Sequence, residues 1–389
     1  MKLREMALFE AGQLFGGLWR SGWLLFLLPL LYLLFFGNAY SSNVVKDIPL
    51  VIYDQDQTAV SRSLVQAFAD SERCRIVAQV VTQADMDQAM AENKALLALA
   101  IPPQFEQSIK QGRGATVLLQ ANSANNMFAN AGIGAATEIV QTFSAGTAKK
   151  LWQGKNQVPA AALTMAAPVK LGIRVLNNPT TSYTNFMLLG LVLNGLQIAI
   201  LLTAGPLLVR EYAKPGKREN ENTSASELVL RKMLVCWPAA VLSFFLCLGA
   251  GIVFFDMTFS GALWPLLLLV GAFSFLLLAI SFFFSAIVRD EVAALQVPLL
   301  YIMPGLLFSG LSWPSFAMDS VAKTIAAFMP LTYTADAVRD LVLTGYSPQL
   351  PENLLVLCSW GLGLTILSIK IFSRRLLRLE STVKDEVSL

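Results

Sequence analysis

The residues that most often carry enzymatic chemistry are scarce in this sequence. It has 389 residues, four cysteines and no histidine, which excludes Ser-His-Asp and Cys-His nucleophile pairs, histidine metal ligands and histidine proton relays. Asp54 and Asp56 directly follow a strand-like run, and this position favours turn and helix-cap roles over catalytic ones. The sequence therefore predicts no catalytic residue and no metal site, and it indicates a protein that is not an enzyme.

Nucleotide binding by this chain is not expected either. The phosphate-binding motif G-x-x-x-x-G-K-S/T does not occur in the sequence, so no cofactor is predicted for the chain itself. The net charge is only +3, which gives no indication of a nucleic-acid partner.

Polar amides are the chemically notable residues within the apolar runs. Asn194 and Gln197 are spaced i, i+3, which places them on one helix face, and Gln296 lies in a later run. An unpaired amide in lipid is costly, so these side chains should face protein or a cavity. Hydrogen bonds between helices and contacts with a substrate both remain open as interpretations. Charges occur only near the ends of the runs, which favours an amphipathic or apolar substrate.

Membrane-spanning helices must position these residues. One apolar run, from about Ser21 to Gly37, precedes a stretch of mixed polarity, and five more apolar runs lie between Tyr183 and Phe372. A helix of about 20 apolar residues is long enough to cross a bilayer. The predicted fold is therefore an α-helical polytopic membrane protein with six transmembrane helices and an α/β domain inserted between helices one and two.

The apolar runs also set the predicted boundaries. Residues 1–19 are expected to form an amphipathic interfacial helix, with a helix in the soluble cytoplasm as the alternative. The other boundaries are 20–40 for span one, 41–180 for the external α/β domain, 181–209 for span two, 210–232 for a cytoplasmic loop, 233–312 for spans three to five, 313–350 for an external region of broken helices, 351–373 for span six and 374–389 for a cytoplasmic tail.

Basic residues near the ends of the runs predict the orientation. Arginine and lysine concentrate before span one, between spans two and three, and after span six. Placing these clusters inside the cell puts both termini in the cytoplasm and the inserted domain outside.

The inserted stretch alternates strand-like and helix-like segments. Strands are predicted at Ile48–Tyr53, Arg75–Val81, Ala95–Ile101, Thr116–Gln120 and Val169–Leu176, and helices at Ala59–Asp70, Ala84–Glu92, Phe105–Lys110 and Met127–Trp152. This alternation favours a largely parallel or mixed sheet. Cys74 is alone in this domain and is either buried and inert or bridges two subunits.

Three prolines interrupt the segment between spans five and six. Pro304, Pro314 and Pro330 each remove a backbone donor and break a helix. Irregular backbone at membrane depth persists only where protein or a water-filled cavity satisfies it. The segment is interpreted either as a gate or as a simple external loop with short surface helices.

The sequence then shows a family resemblance. The stretches VIYDQDQTAVSRSLVQAF, LALAIPPQFEQSIKQG and VLLQANSANN resemble the periplasmic domain of ABC-2 type transporter permeases. Phe308–Arg339 is similar to that family's segment between helices five and six, and Arg210-Glu211 resembles its cytoplasmic entry. Two departures are visible. Asp319 follows Met318 where the family usually has proline, and the loop AKPGKRENENTSASELVL lacks the family's usual Arg-Glu-x-Gly-Thr-x-Glu run.

The resemblance implies the permease subunit of an ATP-driven ABC-2 type exporter in the bacterial inner membrane. Such a subunit would move an amphipathic or hydrophobic substrate outward, such as a drug, a lipid-like molecule or an envelope component. ATP and Mg would be bound by a separate ATPase subunit. The further partners would be a second permease copy or a paralogous permease, membrane lipids and a periplasmic adaptor protein. The alternative function is an envelope-anchored binding or scaffold protein that acts through its external domain.

The predicted site residues form three groups. The residues expected to contact the ATPase are Arg210, Glu211, Glu227 and Arg231. The residues expected to line the substrate pathway, on spans two and five of two subunits, are Asn194, Gln197, Gln296 and Phe308. The gate motif comprises Ser309, Gly310, Pro314, Pro330, Tyr333 and Arg339.

Overall fold

A computed structural model describes residues 3–16, 21–40, 45–153, 182–213 and 224–387, apart from residues 93, 112, 114, 123–125 and 314. The chain divides into two compact units. One comprises Met1–Asn43 and Val175–Leu389, and the other comprises Val44–Arg174. We call them the helical unit and the inserted unit.

The regular elements follow one another in this order. The first are α1 (Leu3–Phe15), a 3₁₀ turn (Ser21–Trp23) and α2 (Leu24–Ala39). The inserted unit contributes β1 (Ile48–Asp54), α3 (Ala59–Ala69), β2 (Cys74–Val80), α4 (Gln83–Ala91), β3 (Leu97–Ile101), α5 (Phe105–Lys110), β4 (Leu118–Ala121) and α6 (Asn126–Gln153). The helical unit resumes with α7 (Tyr183–Ala213), α8 (Ala225–Phe255), α9 (Leu263–Ile287), α10 (Glu291–Ile302), α11 (Gly305–Phe308), a 3₁₀ turn (Ser315–Ala317), α12 (Ser320–Ala327), a 3₁₀ turn (Pro330–Tyr333), α13 (Ala335–Thr344) and α14 (Leu350–Val387).

The strands of the inserted unit form one mixed sheet in the order β2-β1-β3-β4. Strand β1 runs parallel to both β2 and β3, whereas β3 and β4 are antiparallel. Strands and helices alternate along this part of the chain, as the sequence predicted, and the sheet is of the mixed type. The strand predicted at Val169–Leu176 lies outside the described residues.

Both faces of this sheet are covered. Leu50 and Ile52 of β1 pack with Phe68 of α3 on one face, and Val51 packs with Met86 of α4 on the other. Successive strand residues point to opposite faces, so a strand buried on both sides reads as a continuous apolar run. This is why IPLVIY lacks polar alternation.

Asp54 and Asp56 shape the loop after β1. The Asp54 carboxylate accepts hydrogen bonds from the backbone amides of Asp56 and Gln57, both at 3.0 Å. The Asp56 carboxylate accepts from the amides of Phe105 and Glu106, also at 3.0 Å, and so caps the first turn of α5. The predicted turn and cap roles of the two acids are confirmed.

The helical unit has six segments in its described part that are long and apolar enough to cross a membrane. They are Ser21–Ala39, Tyr183–Glu211, Ala225–Phe255, Leu263–Ile287, Glu291–Phe308 and Leu350–Arg378. The chain is therefore mostly helical with six candidate spans, in agreement with the prediction from the apolar runs.

Helix α7 lies at the centre of the helical unit and contacts α2, α8, α9, α10 and α13. In its most apolar stretch, 78% of the residues are buried, against 22% in the most apolar stretch of α14. Gly205 permits one of these contacts, because a Cβ there would meet the backbone oxygen of Ala294 in α10. The residues of α7 therefore face other protein segments, whereas much of α14 does not.

Several helix boundaries differ from the predicted segments. Residues 225–232, expected to belong to the cytoplasmic loop, are part of helix α8, whose first turn is capped by the Ser224 hydroxyl. The fifth span is interrupted between Ile302 and Gly305, at Pro304. Helix α14 continues to Val387, well beyond the predicted end of span six.

Candidate functional site

The first candidate region is a group of charged residues where α7 ends and α8 begins. Lys232 is only 2% exposed, and its Nζ lies 2.7 Å from Glu211 Oε1 and 3.3 Å from Glu10 Oε2. The group joins α1, α7 and α8. A buried ammonium requires such counter-ions, since an unpaired charge in the interior is strongly destabilising.

The sequence-based prediction named Glu211 in this region but did not foresee its pairing with Lys232 and Glu10. Glu10 is 222 positions away from Lys232, so no local pattern connects them. One signal for Lys232 existed. Val229, Lys232, Met233 and Cys236 are all buried and lie at helical spacing, so Lys232 falls within an inward-facing stripe.

The other predicted ATPase contacts also have partners within the chain. Arg231 pairs with Glu227 one turn earlier on α8, and Arg210 Nε lies 3.0 Å from Glu291 Oε2 at the start of α10. The side chains of Arg210 and Glu291 are 45% and 42% exposed, and that of Glu227 is 42% exposed. These three can contact another protein, whereas Glu211 mainly serves the buried cluster.

The second candidate region is an amide pair within α7. Gln197 Nε2 donates a 2.8 Å hydrogen bond to Asn194 Oδ1, and both residues are buried. Within the described part of the chain, Gln197 Oε1 has no hydrogen-bond partner. The Gln197 amide faces Gly305, the first residue after the break in the fifth span. The structure thus brings Asn194 and Gln197 together and places Gln197 beside the helix interruption.

Gln296 does not join this pair. Ala294, Pro298 and Ile302 form the buried face of α10, and Gln296 is exposed on the opposite face. The structure therefore separates one of the three predicted pathway amides from the other two.

The third candidate region lies between α11 and α13. Gly310 has φ +88°, a left-handed conformation that is strained for other residues, and a Cβ there would approach Asp336 Oδ2 at 3.1 Å. The Ser309 hydroxyl donates to the Leu306 carbonyl at 3.0 Å and accepts from the Leu311 amide at 3.3 Å. These bonds hold a tight turn at the end of the fifth span.

Helix α13 is attached to α7 through Arg339. Its guanidinium lies 2.9 Å from Asp336 Oδ1 and 4.8 Å from the ring centre of Phe186, which is the geometry of a cation–π contact. Arg339 therefore attaches α13 to α7.

The charge of Arg339 also affects the neighbouring Asp340 carboxyl. Burial raises the pKa of Asp340, the positive charge of Arg339 opposes this shift, and the negative charge of Asp336 adds to it.

The remaining gate residues also contact their own segment. The Tyr333 hydroxyl donates to the Ala327 carbonyl at 2.9 Å, and buried Pro330 accepts from the Thr334 hydroxyl at 3.1 Å. Pro314 lies outside the described residues. Phe308 is half-buried and lines an open cavity of about 350 Å³ that is also bordered by Trp313.

The cysteines differ in exposure. Cys74, Cys236 and Cys247 are buried, and Cys358 is exposed. Burial raises the pKa of the Cys74 thiol, although Arg73 opposes the shift, so its reactive thiolate is scarce. Among the described residues, no group of three or more cysteine, aspartate or glutamate side chains could hold a metal ion.

Comparison with known proteins gives consistent matches. The family model described as "ABC-2 family transporter protein" matches residues 20–370. The "Probable multidrug ABC transporter permease YbhR" of Escherichia coli K12 is 21% identical over 320 residues, which cover 79% of this chain and 81% of that protein. The "Inner membrane transport permease YhhJ" of the same organism is 23% identical over 375 residues, covering 92% and 93%. The "ABC transporter G family member 20" of Dictyostelium discoideum is 23% identical over 200 residues, covering 50% of this chain and 27% of that protein.

Proposed function

Since the chain belongs to the ABC-2 family of transporter proteins, we propose that it is the permease subunit of an ATP-driven exporter. The observation that carries the proposal is the family match over residues 20–370 together with six candidate spans in one chain. Because the sequence lacks a phosphate-binding loop, ATP and Mg are bound by a separate ATPase subunit. A second permease copy or a paralogue completes the pore.

The substrate is amphipathic or hydrophobic and moves outward. Charged side chains occur only toward the ends of the six candidate spans, so a permeant that needs a counter-ion at the bilayer centre is disfavoured. The name of the YbhR relative, a probable multidrug permease, supports a drug-like molecule. Lipid-like and envelope components have the same physical character.

The ATPase binds where α7 ends and α8 begins. Arg210 and Glu227 have exposed charged groups there, and charge-assisted hydrogen bonds to such groups are strong. Glu211 and Arg231 support this surface from within, through Lys232 and Glu227. Motion of the ATPase would thus reach α1, α7 and α8 together.

Purification of the chain with an ATPase encoded beside it tests the proposal. We expect a stable complex that hydrolyses ATP, and hydrolysis should rise with uncharged hydrophobic compounds or lipids in inverted vesicles. The double variant Arg210→Glu/Glu227→Arg should lose the ATPase, whereas Lys323→Glu, an exposed reversal in α12, should retain it. A chain that binds no ATPase and shows no ATP-dependent transport would support the envelope-anchored alternative.

The proposed topology places both termini in the cytoplasm and the inserted unit in the periplasm, with an adaptor protein as its partner there. Basic clusters at the ends of the spans support this orientation. In a Cys358→Ser background, which removes the exposed native thiol, a cysteine at Ser63 should label in intact cells. A cysteine at Arg289 should label only after permeabilisation. The reverse labelling pattern would mean that the protein has the opposite orientation in the membrane.

A further inference from the structure

The exposed face of α14 changes from apolar to cationic along its length. Leu362 and Ile366 are 56% and 54% exposed. Lys370, Arg374 and Arg378 follow at intervals of four residues and are exposed as well. Residues four apart lie above one another on a helix, so the three cations form a ladder that continues the apolar stripe.

The neighbouring Arg375 fixes the depth of this ladder. It points inward, and its Nη1 donates to the carbonyls of Ala286 at 3.1 Å, Ile287 at 3.2 Å and Val288. These carbonyls end α9, and Arg289 and Asp290 follow directly. Arg375 therefore lies at the level where the apolar residues of α9 stop, which corresponds to the lipid headgroups when α9 spans a bilayer.

Lys370 lies deeper than this level. Five residues of α-helix correspond to about 7.5 Å, so the Lys370 backbone lies within the apolar part of the span. Neither Lys370 nor Arg374 is paired with any of the residues that the structure describes. A cation at that depth is costly unless it extends toward the interface and meets a counter-ion.

We propose that this face of α14 binds an anionic phospholipid. Its phosphate lies between Lys370 and Arg374, and its acyl chains follow Leu362 and Ile366. Basic residues beside a membrane-spanning helix attract anionic lipid headgroups in this way. The inference rests on α14 being a membrane span and is independent of the transported substrate.

Charge argues against a second copy of the chain on this face. A two-fold interface brings the same patch of both subunits together, so each cationic ladder would face its own copy. The depth of Lys370 argues against a water-soluble protein, which cannot reach the apolar part of a span. An anionic lipid has both the required charge and the required apolar length.

Competition between two lipids of equal chain length tests the proposal. The purified full-length protein in neutral detergent is mixed with equal amounts of dioleoyl phosphatidylglycerol and dioleoyl phosphatidylcholine, and bound lipids are counted by native mass spectrometry. The wild type should retain phosphatidylglycerol preferentially. Lys370→Gln/Arg374→Gln should lower that preference at least fivefold, because each cation near the surface contributes about that factor.

Two controls and one substitute variant make the result specific. Arg375→Gln removes a cation one residue away but should keep the lipid preference and lower thermal stability instead. Lys370→Arg/Arg374→Lys should bind as the wild type does. If the double Gln variant fails to fold, Arg374→Gln alone is measured in the same way. An unchanged lipid ratio, an equal loss in Arg375→Gln, or dissociation of the double Gln variant into monomers in neutral detergent would overturn the proposal.

Discussion

A single ammonium group connects three helices of the helical unit. Lys232 in α8 reaches Glu211 of α7 at 2.7 Å and Glu10 of α1 at 3.3 Å. Two carboxylates and one ammonium leave a net negative charge, so the cluster depends on its cation. Replacing a buried ion network by apolar residues can be neutral, whereas removing one partner leaves the others uncompensated.

Lys232→Met therefore should be strongly destabilising. The side chain keeps its length, but Glu10 and Glu211 lose their counter-ion. We expect the free energy of unfolding to fall by about 3 kcal/mol, measured by denaturation of the purified protein in one detergent. Lys323→Met, at an exposed position of α12, should have little effect. Adding Glu10→Gln and Glu211→Gln should restore most of the loss, and equal stability of Lys232→Met and Lys323→Met would contradict the role of the cluster.

Single residues differ in how far sequence alone could predict their contacts. The i, i+3 spacing of Asn194 and Gln197 predicted one shared face, and the structure hydrogen-bonds them at 2.8 Å. Asp56 was predicted as a cap from its position after a strand, but its target α5 lies about 50 residues later. Glu10 was unpredictable as a partner of Lys232, because long-range pairing depends on how the helices pack.

Asp56 gives a pH-dependent prediction in the inserted unit. Partial burial opposes its ionisation, but hydrogen bonds from the Thr58 hydroxyl and the amides of Glu106, Phe105 and Gln104 lower the carboxyl pKa below its usual value. Its stabilising effect is therefore present above the unfolded pKa of about 3.9. The effect is lost only as the pH falls through the still lower folded pKa.

Asp56→Asn should therefore loosen α5 at neutral pH. We expect amide hydrogen exchange in residues 105–110 to speed up about fivefold at pH 7, the factor for a lost helix cap. The difference from wild type should persist at pH 5 and vanish at strongly acidic pH. Asp87→Asn, at an exposed position of α4, serves as the control. Exchange in Asp56→Asn that equals the wild type at pH 7 would exclude the cap.

At the scale of elements, close helix contacts depend on small residues. A Cβ on Gly361 of α14 would fall against the ring of Phe275 in α9. On the same helix, the hydroxyls of Thr365 and Ser368 donate to carbonyls four residues earlier, at 2.7 and 2.6 Å. Their polar atoms are thereby satisfied within α14, so they can be buried beside other helices.

Gly361→Leu should push α14 away from α9. Overpacking of this kind costs about 1–3 kcal/mol, and the thermal unfolding midpoint of the purified protein should fall accordingly. Gly363→Leu is the matched control, since a Cβ at Gly363 meets nothing within 4 Å. Equal midpoints for the two leucine variants would mean that α9 and α14 do not pack closely in the membrane.

Element positions were more predictable than element lengths. Each span needs a long apolar run, so the six runs predicted where the six candidate spans lie. The third apolar run did not indicate that α8 begins as early as Ala225. The charged residues Glu227 and Arg231 interrupt the apolar run, although both are helical in the structure. Gln296 likewise lies in an apolar run, and only the packing of α10 decides which face it occupies.

At the scale of the whole molecule, polarity and burial separate the candidate pathway from the lipid-facing surface. Span α7, which is as deeply buried as α9, carries the amide pair, and Gln197 lies beside the break in the fifth span. We propose that this break opens during export and that the Asn194–Gln197 pair then meets the substrate. Gln296 faces away from α7 and would line the pathway only from the side that a second subunit covers.

Replacing both amides distinguishes a pathway from simple packing. Asn194→Leu/Gln197→Met removes donor and acceptor together while nearly preserving volume, so the free energy of unfolding should change little. If the amides contact the substrate, ATP-driven transport should fall about tenfold, because about 1.4 kcal/mol of lost interaction corresponds to that factor. Dimerisation and basal ATP hydrolysis should remain unchanged. Asn194→Trp should block transport by bulk, whereas Leu300→Trp, at a position 75% exposed on α10, should leave it unchanged. Normal transport by the Leu/Met double variant would identify the amides as packing residues and place the pathway on another face of the helical unit.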